Sequence, residues 1–114
     1  MTDIHTRLRE AKERLGHVAK ASPEVFSGFS RLAKAATAQG TSFDPAQREL
    51  IAAAIAVTKG CDDCILYHVD AAIRQGADEK ALGEALDVAI EMGGGPALMY
   101  AGRALAAFRE LKAG

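Results

Sequence analysis

The chain has 114 residues and a net charge of −1; 25% of its residues are charged, 5% are aromatic and none is tryptophan. That length supports one domain with one modest core. The charge balance lacks the basic excess that nucleic-acid binding needs, and the scarcity of aromatic rings leaves no base-stacking platform. The longest apolar run, LIAAAIAV over Leu50–Val57, is too short to cross a bilayer. The opening stretch MTDIHTRLREAKERL is charged throughout and has no apolar signal-peptide core. A cytoplasmic protein with no membrane partner is expected. In that compartment a permanent structural disulfide is unusual, so a close cysteine pair points to redox chemistry or metal.

Helix signals recur from one end to the other, and nothing alternates like a half-buried strand. The predicted helices run over about 3–20, 23–39, 45–59, 61–75, 79–92 and 96–112. Three prolines open helices at Ser22-Pro23-Glu24, Asp44-Pro45-Ala46 and Gly95-Pro96-Ala97, the position at which proline's missing N–H costs nothing. Gly40, Gly60, Gly76 and the Gly93-Gly94-Gly95 run mark helix ends, and Asp78 suits the cap of the fifth helix. The expectation is an all-α single domain over 1–114 with about six helices.

The third predicted helix has no polar face between Leu50 and Val57 and therefore asks for burial all round. So small a domain struggles to supply that cover, which points to the first two helices or neighbouring subunits. Gly28, Gly83 and Gly102 lie inside helices, where they either permit close helix approach or are tolerated at about 1 kcal/mol each.

The chemistry-bearing stretch is KGCDDCILYH, residues 59–68, which holds the only two cysteines. With Cys61 as the origin and about 100° per residue, Cys64 falls near 300° and His68 near 340°. The two thiols and the imidazole then share one sector, facing the protein or an interface, with Asp63, Asp70 and Arg74 opposite. Cysteines at i and i+3 on an opening turn bring their Cα atoms within disulfide range. Unpaired backbone N–H groups and the helix dipole favour thiolate there, while Asp62 and Asp63 oppose it. His68 stands one turn beyond Cys64 on the same side, so a neutral imidazole can take the Cys64 proton. Cys64 is therefore the expected nucleophile. The other readings are two small core residues, or a zinc site, which C-x-x-C-x-x-x-H leaves one ligand short. His5 and His17 read as surface residues of the first helix.

Upstream, Glu49 precedes Cys61 by twelve residues. The pattern E-x11-C-x2-C-x3-H, carried by Glu49, Cys61, Cys64 and His68, resembles the alkyl hydroperoxidase D-like family of the carboxymuconolactone decarboxylase superfamily. EMGGGPALMYAGRALAAF, Glu91–Phe108, is similar to the helix–glycine–proline–helix that follows the motif in that family, so the resemblance spans about residues 40–112. It implies an all-helical fold and reduction of hydroperoxides by a dithiol, with no cofactor and no bound metal. By the same resemblance Cys64 attacks peroxide, Cys61 resolves the intermediate, and Glu49 and His68 relay protons, often through water. Local chemistry alone would read Glu49 as a partly exposed first-turn glutamate that favours the helix dipole. The expected partners are a hydroperoxide, an external dithiol reductant of protein or lipoyl type, and further copies of the chain in a homotrimer or homohexamer. One departure stands out: peroxidases of the family carry histidine immediately before the second cysteine, where this chain has Asp63. The rivals are a lactone decarboxylase, a general disulfide reductase, and a non-enzymatic redox-sensing or zinc-binding module.

Overall fold

The structure, a computed structural model, describes residues 3–114, and all regular structure among them is helical. Helices α1 (Ile4–Ala21) and α2 (Pro23–Ala36) form a hairpin. Helices α3 (Pro45–Lys59), α4 (Asp62–Arg74) and α5 (Glu79–Ala113) form the packed body. Ala53, Val69, Leu82 and Ala104 are fully buried at its centre. Ala97, Ala101, Ala104 and Ala107 line the buried side of α5, where small side chains let neighbouring helix axes come close.

The caps explain where the helices begin. Asp44 accepts a hydrogen bond from the Gln47 backbone N–H at 2.8 Å, and the Gln47 side chain accepts one from the Asp44 N–H at 2.9 Å. This reciprocal box, followed by Pro45 at the first helical position, fixes the start of α3. Asp3 and Asp78 cap α1 and α5 with one bond each, accepting from the Thr6 and Ala81 backbone N–H groups without a reciprocal partner.

Two boundaries differ from expectation for local reasons. The second helix stops at Ala36 instead of running to 39. The Arg48 guanidinium of α3 donates to the Ala36 carbonyl at 3.1 Å, taking a terminal acceptor that helix continuation would have used. Residues 79–92 and 96–112, predicted as two helices, run as one element whose helical geometry breaks only at Gly94, with φ 71° and ψ −152°. That backbone conformation is essentially restricted to glycine. The expected break is therefore there, narrowed to Gly94, and α5 holds both predicted helices on either side of that kink.

The cover predicted for α3 is only partly supplied. Its inner side packs on α4 and α5, but Ile51 and Ile55 remain 44% and 50% exposed. The hairpin does not cover them, because α1 rests on α4 and α5 while α2 packs chiefly on α1. A Cβ at Gly28, Gly83 or Gly102 would meet nothing within 4 Å, so none of these glycines serves a close helix contact within the chain. Among the described residues, no helix is long and apolar enough to cross a membrane.

Candidate functional site

Gly60 closes α3 in the left-handed conformation, φ 68°, and turns the chain straight into Cys61. The N–H groups of Gly60 and Cys61 return to the Val57 and Ala56 carbonyls, so the junction is held at the backbone level. Cys61 is the N-cap of α4 and not its first helical residue; its sulfur accepts from the Cys64 backbone N–H at 3.2 Å. Cys61 and Cys64 are joined by a disulfide with their Cα atoms 5.2 Å apart. The same loop-to-helix step that supplies the cap therefore also supplies the geometry for a bridge.

Glu49 is buried, 7% exposed, and is the only charged or polar residue so enclosed among the described residues. Its Oε1 lies 2.7 Å from His68 Nδ1. With the carboxylate ionised, the Nδ1–H donates to it. The Nε2 of a neutral imidazole is then left free to accept a proton, and the carboxylate supports the imidazolium that results. The resemblance implies that Glu49 and His68 relay protons, often through water. The structure brings it directly onto His68, because Glu49 on α3 and His68 on α4 face each other where those helices pack.

The sector assigned to the cysteines needs a correction. Cys64 is exposed in the single chain, and Cys61 and His68 are half-buried. The buried side of α4 is instead Ile65, Leu66, Val69 and Ala72. Cys64 and His68 lie at its edge and open into a groove of about 410 Å³ between α4 and the hairpin. Leu15 of α1 and Phe26 and Phe29 of α2 give that groove an apolar wall, and Tyr67 lines it beside His68. Asp63 also lines this groove, although it was predicted on the opposite side. The relative angles hold for the helical residues; what differs is the direction of the core, which lies toward Ile65, Val69 and Ala72, so that Cys64 and Asp63 fall on its two margins. His5 and His17 are exposed, as expected. Gly93, Gly94 and Gly95 line neither cavity near the disulfide, and Tyr100 packs against Gly60 instead of a pocket.

Sequence reasoning missed the arginines. Arg14 Nη2 of α1 lies 3.0 Å and 3.2 Å from the two carboxylate oxygens of Asp63, and Arg103 Nη1 of α5 lies 2.7 Å from Asp62 Oδ2. Each acidic residue between the cysteines is therefore paired with a cation from another helix. No helical spacing rule could have found contacts 49 and 41 residues apart in the chain. Among the described residues, no group of three or more His, Cys, Asp and Glu side chains is arranged to hold a metal ion.

The model of the carboxymuconolactone decarboxylase family matches residues 23–107. The chain belongs to the carboxymuconolactone decarboxylase family. A relative of uncharacterised function from Cupriavidus necator is 49% identical over 112 residues, covering 98% of each chain. An uncharacterised protein of the cox locus of Paracoccus denitrificans is 36% identical over 97% of each. Among solved structures, the apo form of a carboxymuconolactone decarboxylase family protein from Legionella pneumophila superposes with a TM-score of 0.89 at 42% identity, covering 95% of this chain and 96% of that one. A family protein from Thermotoga maritima, described as a candidate for an antioxidative response, gives 0.82 at 28% identity over 94% and 91%. The all-helical architecture is thus that of this family.

Proposed function

We propose that the protein is a dithiol peroxidase of the alkyl hydroperoxidase D-like type. The observation that carries this reading is the Cys61–Cys64 disulfide at the head of α4, with the Glu49–His68 pair one turn behind it and Cys64 facing an open groove. His68 takes the Cys64 proton. The thiolate attacks one peroxide oxygen, the O–O bond breaks, and the alcohol leaves with a proton as Cys64 becomes a sulfenic acid. The Cys61 thiol attacks that sulfur; the S–S bond forms and water leaves. An external dithiol then returns two electrons and two protons by exchange, and is itself oxidised to a disulfide. The antioxidative description of the Thermotoga relative points the same way.

Assembly into a homotrimer or homohexamer belongs to the same proposal. The chain exposes 7324 Å², about 1,300 Å² more than the roughly 6,000 Å² expected of a folded monomer of 12.0 kDa. A stable interface takes about 800 Å² from each partner. Much of the surplus is apolar: α2 buries none of its side chains and presents Val25, Phe29 and Leu32 on one side. A cytoplasmic site of action agrees with a dithiol that must be reopened after each turnover.

Mass spectrometry of the purified, reduced protein before and after one equivalent of an organic hydroperoxide tests the reading. The expected result is loss of two hydrogens mapped to a Cys61–Cys64 bridge and reversed by dithiol. Cys64→Ser abolishes turnover, and Cys61→Ser accumulates sulfenic acid or a mixed disulfide. Equal turnover by wild type and Cys64→Ser rejects the peroxidase.

A further inference from the structure

We propose that Arg14 and Arg103 are positioning residues that set the charge at the dithiol, cancelling the two carboxylates that the sequence places between the sulfurs. Asp62 and Asp63 occupy the first turn of α4, directly between Cys61 and Cys64. Unpaired, they would put two negative charges beside whichever sulfur ionises, and like charges disfavour a thiolate. Arg14 reaches both oxygens of Asp63 through one nitrogen, Nη2, which sets its positive charge directly against that carboxylate. Arg103 meets Asp62 and also lies over the Tyr100 ring, 5.2 Å from its centroid. Tyr100 in turn abuts Gly60, the residue that precedes Cys61. Two helices remote in sequence thus each bring a cation to the dithiol turn, and the turn's formal charge falls from two negatives to none.

Arg7 of α1 and Glu110 of α5, one charge of each sign, line the cavity beside Asp62 and Arg103. From α3 comes Glu49, engaged with His68. From α1, Lys12 lies 3.8 Å from Asp70 and 5.6 Å from the centre of the Tyr67 ring. The α2 wall of the groove supplies only the Ser30 hydroxyl as a polar side chain, and no titrating group. Arg14 and Arg103 are therefore the cations that answer Asp63 and Asp62. They also offer a reason why this chain tolerates Asp63 where peroxidases of the resembling family carry histidine: its charge is met by Arg14 of α1. The proposal rests on the reading that the dithiol cycles, but not on which oxidant it meets.

The test uses reduced, desalted full-length protein and no peroxide. Thiolate absorbance is followed against pH for wild type, Arg14→Gln, Arg103→Gln and Arg14→Gln/Asp63→Asn, and the dithiol–disulfide equilibrium is measured against a glutathione buffer. Both ion pairs are largely solvent-exposed, so the variants keep the fold, as circular dichroism checks. Each single arginine variant lowers the thiolate population near neutral pH by about threefold, the scale of a screened charge a few ångströms away. Added salt shrinks the difference, and Asp63→Asn in the Arg14→Gln background restores the wild-type curve. A merely structural arginine would not be rescued by deleting the charge it meets. Superimposable titrations of wild type and both single variants overturn the proposal, as does failure of Asp63→Asn to restore Arg14→Gln. If wild type leaves peroxide untouched while the arginine effect persists, the peroxidase reading falls and this inference stands.

Discussion

Glu49→Gln isolates the part of the site that depends on charge alone. The substitution keeps the size of the side chain and leaves Oε1 able to accept from His68 Nδ1. It removes only the negative charge that faces the imidazole at 2.7 Å. Glu49 is 7% exposed, so water screens little of that interaction. A hydrogen bond to a charged group contributes about 1.5–3 kcal/mol and a neutral one about 0.5–1.5, so the imidazolium loses roughly 1–1.5 kcal/mol of support. With His68 taking the Cys64 proton, as proposed, that loss leaves roughly tenfold less thiolate. Absorbance titration of reduced protein reads the ionisation midpoint of the Cys64 thiol, and stopped-flow oxidation reads the rate. His68→Ala moves the midpoint in the same direction, but it also strands a buried carboxylate. Its cost in urea unfolding is about 3 kcal/mol, the low end for breaking a buried pair because the imidazole is partly exposed. In the double variant Glu49→Gln/His68→Ala, stability recovers in part, because no unpaired charge remains. A folded Glu49→Gln protein whose Cys64 titration matches wild type would refute the relay.

Three further outcomes follow from the backbone and the surface. Gly94→Ala forces a Cβ into a conformation that glycine alone adopts readily, and is expected to lower unfolding stability by roughly 1–3 kcal/mol in urea. Gly60→Ala costs roughly 1–2 kcal/mol for its left-handed backbone and crowds the Tyr100 ring at 3.2 Å; differential alkylation should also find a smaller fraction of bridged cysteines at a fixed redox buffer. Glu79 donates nothing but accepts two hydrogen bonds from Arg109, which hold its carboxyl below the usual range. A depressed carboxyl contributes stability above its unfolded pKa and loses it as pH falls through the lower folded value. Glu79→Gln should therefore melt lower than wild type at neutral pH, with the gap closing in acid; a gap that widens in acid contradicts the assignment.

Local chemistry was legible wherever one helix settled it. Asp44 with Pro45, Asp78, and Gly60 before the cysteines each act within a few residues, and all are where the sequence placed them. The error at Asp63 has the same origin as that success. A helical wheel places residues relative to one another but does not say which side meets the core; here the core took Ile65, Val69 and Ala72, and Cys64 and Asp63 both came to its margins. Gly94 compressed a predicted turn into one residue, which a glycine triplet and a proline do not distinguish from a longer break.

What lay beyond local reading was the electrostatics of the site, since charges act through space and not along the chain. From the sequence, Asp62 and Asp63 count as two charges against the thiolate. In the fold they meet Arg103 and Arg14 at 2.7 Å and 3.0 Å, and each of those charges has a partner. The Glu49 contact was a smaller surprise, because a family spacing pointed to the residue though not to its partner. Helices α1 and α5 carry the two arginines, and the α1–α2 hairpin also walls the groove at Cys64. The hairpin therefore meets the cysteine turn twice, through the cation it brings to Asp63 and through the apolar face it sets beside Cys64. Its loosening from the body would change both together, even with every residue of the cysteine–histidine motif in place.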